Sequence, residues 1–283
     1  MTTAKIWSII DLINFGTKYF RDKKIYNARR EIEWFLCEIL KCKRIDLYLK
    51  FDNSLKPDQL LQLKTMIKRR VAGEPFQHIL GKAPFYGRDF KVNTNVLIPR
   101  PETELIIDIL KKNGPVVSNL LDVGTGSGCI AITCSMENLS DMIYATDISM
   151  DSIGVAKENI VNYKIKNVKV FSHDFFKNKF DLKFDVVVSN PPYIRIDDLE
   201  TLQSEVKKFD PHIALTDGKD GLSFYQHFAK TFIDLVNPTG YLLLEIGGDN
   251  YKNSVKEIFS KANLHTTFFK DLQGNSRVVK VQL

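Results

Sequence analysis

Apolar side chains return at helical spacing along the first part of the chain. Ile6, Ile9, Ile10, Ile13 and Phe20 mark one helix, and Ile32, Phe35, Leu36, Ile39 and Leu40 mark a second, for which Asn27 is a suitable N-cap. Pro57 opens a third, with Leu60, Leu61, Leu63, Ile67 and Val71 along one side and Gly73 just past its end. Stripes of this kind bury against one another. Residues 1–83 therefore read as a wholly helical bundle.

The period then shortens. Phe85 to Val92 and Val96-Leu97-Ile98 alternate around Asn93-Thr94-Asn95, which predicts a β-hairpin, with residues 84–100 as a linker. Pro99-Arg100-Pro101 closes it. Glu102-Thr103-Glu104 leads into an apolar helix from Leu105 to Leu110, and acidic residues suit a helix's first turn. From about residue 116, short apolar runs alternate with helical patterns. Strands are expected at 119–123, 142–147, 167–172, 184–189, 240–246, 265–270 and 276–282, and helices at 128–138, 150–163, 221–236 and 252–262. Such alternation implies a mainly parallel sheet covered on both faces. Only Gln273-Gly274-Asn275 separates the last two strands, too short for a crossover, so they should pair antiparallel. The predicted architecture is α/β: a Rossmann-like, seven-stranded, mostly parallel sheet with an antiparallel C-terminal hairpin over residues 101–283, preceded by the helical bundle.

Composition narrows the class. With 283 residues, 44% of them hydrophobic, the chain can bury a sizeable core. No apolar run approaches the ~20 residues that span a bilayer. Met1 to Trp7 shows no signal-peptide apolar region before Asp11, so a cytoplasmic protein is expected. Cys37, Cys42, Cys129 and Cys134 lack CxxC spacing, and no His lies near them at a ligand interval, which favours free thiols over a metal site. The net charge of +6 is concentrated in the helical segment. Its Lys and Arg are interleaved with Asp and Glu, a pattern that suits a solvated helical surface as well as it suits nucleic acid or an acidic partner.

The strand expected at 184–189 runs straight into Asn190-Pro191-Pro192-Tyr193. Consecutive prolines donate no backbone hydrogen bond and end a central strand. These residues are thus presented beyond the strand's carboxyl end, where open α/β sheets bind ligands. An amide, rigid turns with free carbonyls and an aromatic ring suit the grip of a planar amino group, although the tetrapeptide alone also suits a plain turn. Leu120-Leu121-Asp122-Val123 likewise runs into Gly124-Thr125-Gly126-Ser127-Gly128 and an apolar helix. About twenty residues on, Asp147 ends the next strand, placed to accept from both hydroxyls of a ribose. A nicotinamide site wants a third small residue at 129, where Cys129 stands. The G-x-G-x-G pattern suits S-adenosylmethionine, which has no pyrophosphate to cradle. Asp174 is placed to accept from an adenine amino group and Phe175 to pack on the base, the alternatives being an N-cap carboxylate and a core ring. His173 reads as a surface residue.

Together these motifs resemble class I methyltransferases that act on exocyclic or amide nitrogens. Val96-Leu97-Ile98-Pro99-Arg100-Pro101-Glu102-Thr103-Glu104, Asp210-Pro211-His212-Ile213-Ala214-Leu215, Asp220-Gly221-Leu222 and the stretch from Lys270 to Val279 narrow the resemblance. Over nearly the whole chain it is to the HemK/PrmC family, the peptide chain release factor N5-glutamine methyltransferases. Departures are small: Asp210 stands where members often have Glu, Asn250 stands near a usual Gln, and Phe175 stands where many have Trp. Pro101 after Arg100 favours the release-factor branch over relatives that methylate a ribosomal-protein glutamine, which usually have Ser there.

The resemblance implies S-adenosylmethionine as methyl donor, held by Gly124, Thr125, Gly126, Ser127, Gly128, Asp147, Asp174, Phe175 and Asn190. It implies the glutamine of the GGQ loop of class I release factors as substrate, with Asn190, Pro191, Pro192 and Tyr193 as the catalytic set and the helical domain recognising that partner. The Asn190 side-chain oxygen and the Pro191 carbonyl would accept the amide hydrogens, Pro192 would fix the turn, and Tyr193 would pack on the amide. No metal, stable nucleic-acid partner or membrane is expected. An adenine amino group is also planar, which keeps a nucleic-acid adenine methyltransferase as the alternative. Asp197, Asp198, Glu200 and Glu205 make the segment after Tyr193 a poor setting for phosphate. Arg100 is placed either to order the linker or to contact the substrate loop, and the sequence favours the first only slightly.

Overall fold

Ser8 opens the first helix with a reciprocal cap: its hydroxyl accepts from the Asp11 N–H, and the Asp11 carboxylate accepts from the Ser8 N–H. The computed structural model describes residues 7–112, 114 and 116–283, so Ile6 and the expected absence of a leader before Trp7 lie outside the described residues. The described chain divides into two compact units, one ending at Gly81 and one starting at Lys82.

The first unit contains α1 (Ile9–Asp22), α2 (Ala28–Leu40), α3 (Arg44–Leu49), α4 (Pro57–Val71) and α5 (Phe76–Leu80). Its core is the expected stripe: Ile9, Ile13 and Phe20 pack with Ile32, Phe35 and Leu36. Gly16 lets α1 and α2 close on each other, since a Cβ there would lie 2.7 Å from the Ile32 side chain. Asn27 stands at the N-cap of α2 without a side-chain capping bond. The charged residues depart from a purely solvated surface. Glu33 is fully buried and accepts from Arg29, Arg44 and Tyr48, and Glu31 is buried against Arg70. Burial alone would raise the Glu33 carboxyl; the hydrogen bonds from Tyr48, Arg44 and Arg29 outweigh it and hold it below the usual range.

The helical reading fails at its last two residues. Lys82 and Ala83 belong to β1 (Lys82–Phe85), which pairs antiparallel with β2 (Arg88–Lys91) in the second unit. The hairpin turns at Tyr86-Gly87, not at Asn93–Asn95, because both Tyr86 (φ 50°) and Gly87 (φ 74°) adopt the left-handed conformation of a two-residue turn. Asn93 makes a local turn instead, its side-chain oxygen accepting from the Asn95 N–H at 2.9 Å.

A 3-10 turn at Pro101–Thr103 leads into α6 (Glu104–Lys112). The sheet and its helices follow: β3 (Val117–Val123), α7 (Cys129–Met136), β4 (Ser140–Asp147), α8 (Met150–Asn162), β5 (Val168–Ser172), β6 (Phe184–Ser189), α9 (Ser204–Phe209), α10 (His212–Leu215), α11 (Ser223–Leu235), β7 (Val236–Glu245), α12 (Asp249–Lys261), β8 (His265–Lys270) and β9 (Ser276–Gln282). The seven strands lie in the order β5-β4-β3-β6-β7-β9-β8. All pairs are parallel except those of β9, which runs antiparallel to both β7 and β8. Both faces are buried: Leu120, Val186 and Val188 face one core, and Leu121, Val187 and Leu242 the other. The strand order reverses between β4 and β6 about β3, the switch point where ligands bind in such sheets. Val123 is level with both Thr146 and Ser189, and Ser189 with Leu244. The next residue of each strand, Gly124, Asp147, Asn190 and Glu245, therefore emerges at one level on the sheet's carboxyl edge.

Candidate active site

A cavity of about 450 Å³ opens above that edge. Gly124, Gly126, Asp147, Asp174 and Asn190 line it, as do Thr125, Ser127, Phe175, Pro191 and Pro192. Gly128 and Tyr193 are not among the lining residues.

The glycine loop is shaped by backbone conformation. Gly124 (φ 74°) and Gly126 (φ 55°) are left-handed, and a Cβ on either would meet nothing within 4 Å. Glycine there leaves bare backbone beside open space, the surface a ligand can approach closely. Gly128 (φ 79°) differs: a Cβ would lie 3.1 Å from Ile132 and 3.3 Å from Ala156, so it serves the packing of α7 on α8. Beneath the loop, buried Asp122 accepts from the Thr125 hydroxyl at 2.6 Å, and burial pushes its carboxyl up to about 7.

Asp147 accepts from the Gly126 N–H at 3.0 Å through one oxygen and from the Ser149 N–H at 2.9 Å through the other. Each oxygen keeps a lone pair for a further donor. Burial raises this carboxyl, and the two backbone donors work against that rise. Asp174 accepts from the Phe176 N–H and pairs with Lys177 at 3.0 Å, which holds its carboxyl below the usual range. Phe175 packs on Phe228 with ring centroids 4.5 Å apart, so one ring serves both core and cavity wall. His173 is not a surface residue: it is half-buried, stacks on Phe180 at 4.0 Å and lines the cavity.

The asparagine-proline-proline-tyrosine turn is anchored from behind by a buried carboxylate. Asn190 Nδ2 donates to Thr103 Oγ1 at 3.1 Å, and Thr103 Oγ1 donates to Glu245 Oε2 at 2.6 Å. The other oxygen of Glu245 accepts from the Tyr193 hydroxyl at 3.1 Å, and its backbone carbonyl accepts from the Tyr225 hydroxyl at 2.7 Å. Tyr193 is also held by close approaches: a Cβ on Gly221 would lie 2.0 Å from the Tyr193 carbonyl oxygen, and one on Gly247 would lie 2.9 Å from its ring. At the cavity's rim Arg100 pairs with Asp210 at 2.6 Å.

Residues 11–81 match the family described as PrmC N-terminal domain, and residues 101–208 match the methyltransferase small domain. A release factor glutamine methyltransferase from Geobacter sulfurreducens is 36% identical over 276 residues, covering 97% of this chain and 96% of the relative. The chain belongs to the release factor glutamine methyltransferase family. A second member of that family, from Fusobacterium nucleatum, is 35% identical over 95% of this chain and 77% of its own length. Among solved structures, a methyltransferase from Pyrococcus furiosus shares the fold at 18% identity, with a TM-score of 0.51 over 80% of this chain and 98% of that one.

Against this family background, two residues stand out that sequence reading left without a role. Thr103 lies inside the Val96–Glu104 motif with no role assigned from sequence, as Glu245 lies inside the run expected at 240–246. Its signal was the same as that of Asp147, an acidic side chain closing an apolar strand, but Ile246 continues the run and hides it.

Proposed function

We propose that this protein transfers a methyl group from S-adenosylmethionine to the side-chain amide nitrogen of the glutamine in the GGQ motif of class I release factors, in the cytoplasm. The family carries the choice of substrate, and the orientation of Asn190 supports the chemistry. Its amide nitrogen is committed to Thr103, which leaves its oxygen as the end that accepts. A primary amide presents two N–H groups, and the Pro191 carbonyl supplies the second acceptor.

The cavity suits the donor. Gly124 and Gly126 offer unobstructed backbone, Asp147 has lone pairs for ribose hydroxyls, and Phe175 gives an apolar wall for a base. Bound S-adenosylmethionine supplies an electrophilic methyl group. The chain's own residues do the rest. Asn190 and Pro191 orient the amide nitrogen in line with that methyl, and much of the rate comes from this placement. As the new bond forms, the N–H groups become more acidic, and the two acceptors stabilise the growing positive charge. Pro192 fixes the turn. Tyr193 holds it from behind through Glu245, a supporting place rather than a face against the substrate. The proton leaves to water after transfer. The helical unit ending at Gly81 recognises the release factor.

Incubation with labelled S-adenosylmethionine and unmodified release factor, then peptide mass mapping, tests the reading. Label on the GGQ glutamine is the expected result. Label on adenine when duplex DNA is offered, and none on release factor, overturns it.

A further inference from the structure

Glu245 is buried at the carboxyl end of β7, with one carboxylate oxygen on Thr103 and the other on Tyr193. A carboxylate only accepts hydrogen bonds. Thr103 must therefore turn its hydroxyl hydrogen toward Glu245, and the lone pair that remains accepts from Asn190. The amide of Asn190 is thereby oriented nitrogen inward and oxygen outward. Without the carboxylate, Thr103 is free to donate to Asn190, and the amide is free to present its N–H groups instead. Those would meet the substrate's N–H groups donor to donor.

We propose that Glu245 is a positioning residue, which through Thr103 selects the end of the Asn190 amide that faces the substrate and through the Tyr193 hydroxyl pins the far end of the same tetrapeptide. This rests on the reading of Asn190 given above. The two arms differ in kind. The Thr103 arm sets the sense of a hydrogen bond, whereas the Tyr193 arm holds a backbone turn in place. Only the first depends on Glu245 being ionised. Burial pushes the Glu245 carboxyl up to about 7, against the hydrogen bonds from Thr103 and Tyr193 and the charge of Arg277. Tyr193, Tyr225, Arg277 and Glu102 are the titratable or charged groups that face it. The polarity of the relay is thus lost as pH falls through that value.

Single-turnover kinetics on full-length release factor tests this, with wild type, Glu245→Gln, Thr103→Val, Thr103→Ser and Asn190→Ala compared. Glu245→Gln and Thr103→Val should each slow methyl transfer by about 10- to 100-fold, the scale of a misplaced reacting group. Affinity for S-adenosylmethionine and KM for the release factor should stay within about threefold for Glu245→Gln, because Glu245 is not among the residues lining the cavity. Thr103→Ser should restore the rate, since it keeps the hydroxyl. A Glu245→Gln, Thr103→Val double variant should be no slower than the slower single one, as expected of groups that act in series. The wild-type rate should rise with pH about a midpoint near 7, and Thr103→Val should lack that rise. A Glu245→Gln or Thr103→Val protein with the wild-type rate overturns the proposal, as does the same pH rise in Thr103→Val. Should Glu245→Gln fail to fold, the Thr103 pair decides alone. An Asn190→Ala protein as active as wild type would remove the underlying assignment of Asn190, and Glu245's role with it.

Discussion

The Arg100 guanidinium donates to Asp210 at 2.6 Å, joining the segment before α6 to the junction of α9 and α10 across 110 positions of sequence. Asp210 is buried and its other oxygen has no partner, while Arg100 remains one-third exposed. Burial pushes the Asp210 carboxyl up to about 6 even with Arg100 beside it. Arg100→Met should destabilise the protein by about 1–3 kcal/mol, less than for a fully buried pair because Arg100 is partly solvated. Asp210→Asn in the Arg100→Met background should recover part of the loss. Urea unfolding of the single and double variants checks this, and no recovery would mean that the ion pair is not the source.

Asn190 and Asp147 stand at one level of the sheet but should fail differently. Asn190→Ala should slow transfer by about 10²–10³-fold, the scale of a lost transition-state hydrogen bond, with cofactor affinity retained. Asp147→Ala should weaken cofactor binding by about 1.5–3 kcal/mol, the worth of a hydrogen bond to a charged group. Calorimetric titration and single-turnover rates separate the two.

Asp122 gives a pH signature. Its carboxyl is pushed up to about 7 in the folded protein, above the ordinary carboxylate value that it regains on unfolding. Between those values the folded state binds the extra proton, so this group's contribution to stability declines as pH rises through the window. Asp122→Asn removes that decline. Measured against wild type, its Tm should gain steadily from pH 4 to 7 and then level off. A constant difference across the range would count against the assignment.

Two glycines of one loop should part company on substitution by alanine. Gly128→Ala forces a left-handed Cβ against Ile132 and Ala156 and should cost about 1–3 kcal/mol of stability. Gly126→Ala meets only open space, so the backbone strain alone, about 1–2 kcal/mol, is felt in folding. Its larger effect should be on cofactor affinity, because the methyl group points into space the ligand needs. Thermal denaturation with and without S-adenosylmethionine distinguishes them.

The parallel sheet was legible because each of its central strands is a short apolar run closed by a polar or glycine residue, and Asp147 and Asn190 stood at such closures. Glu245 occupies the same position, but the apolar Ile246 after it blurred the boundary. The turn at Tyr86-Gly87 was hidden for another reason: a tyrosine at φ 50° bears none of the Asn-Gly or Asp-Gly signature of such turns. The helices α3, α5, α9 and α10 span six residues or fewer, too few for a period to repeat. The buried state of Glu33 depends on Arg44 and Tyr48, 11 and 15 positions away, and no local pattern announces partners at that distance.

Strand β9 lies between β7 and β8 although it is synthesised after both. Until the ribosome has delivered Ser276–Gln282, β8 has no partner in the sheet and β7 is its edge. Until then the edge of β7 from Leu242 to Glu245 is bare, an invitation to pairing between chains. A messenger truncated before codon 276 would yield a protein with its glycine loop and Asn190 encoded in full, yet with the strand that carries Glu245 unpaired on one side. Such fragments should aggregate rather than merely lose activity.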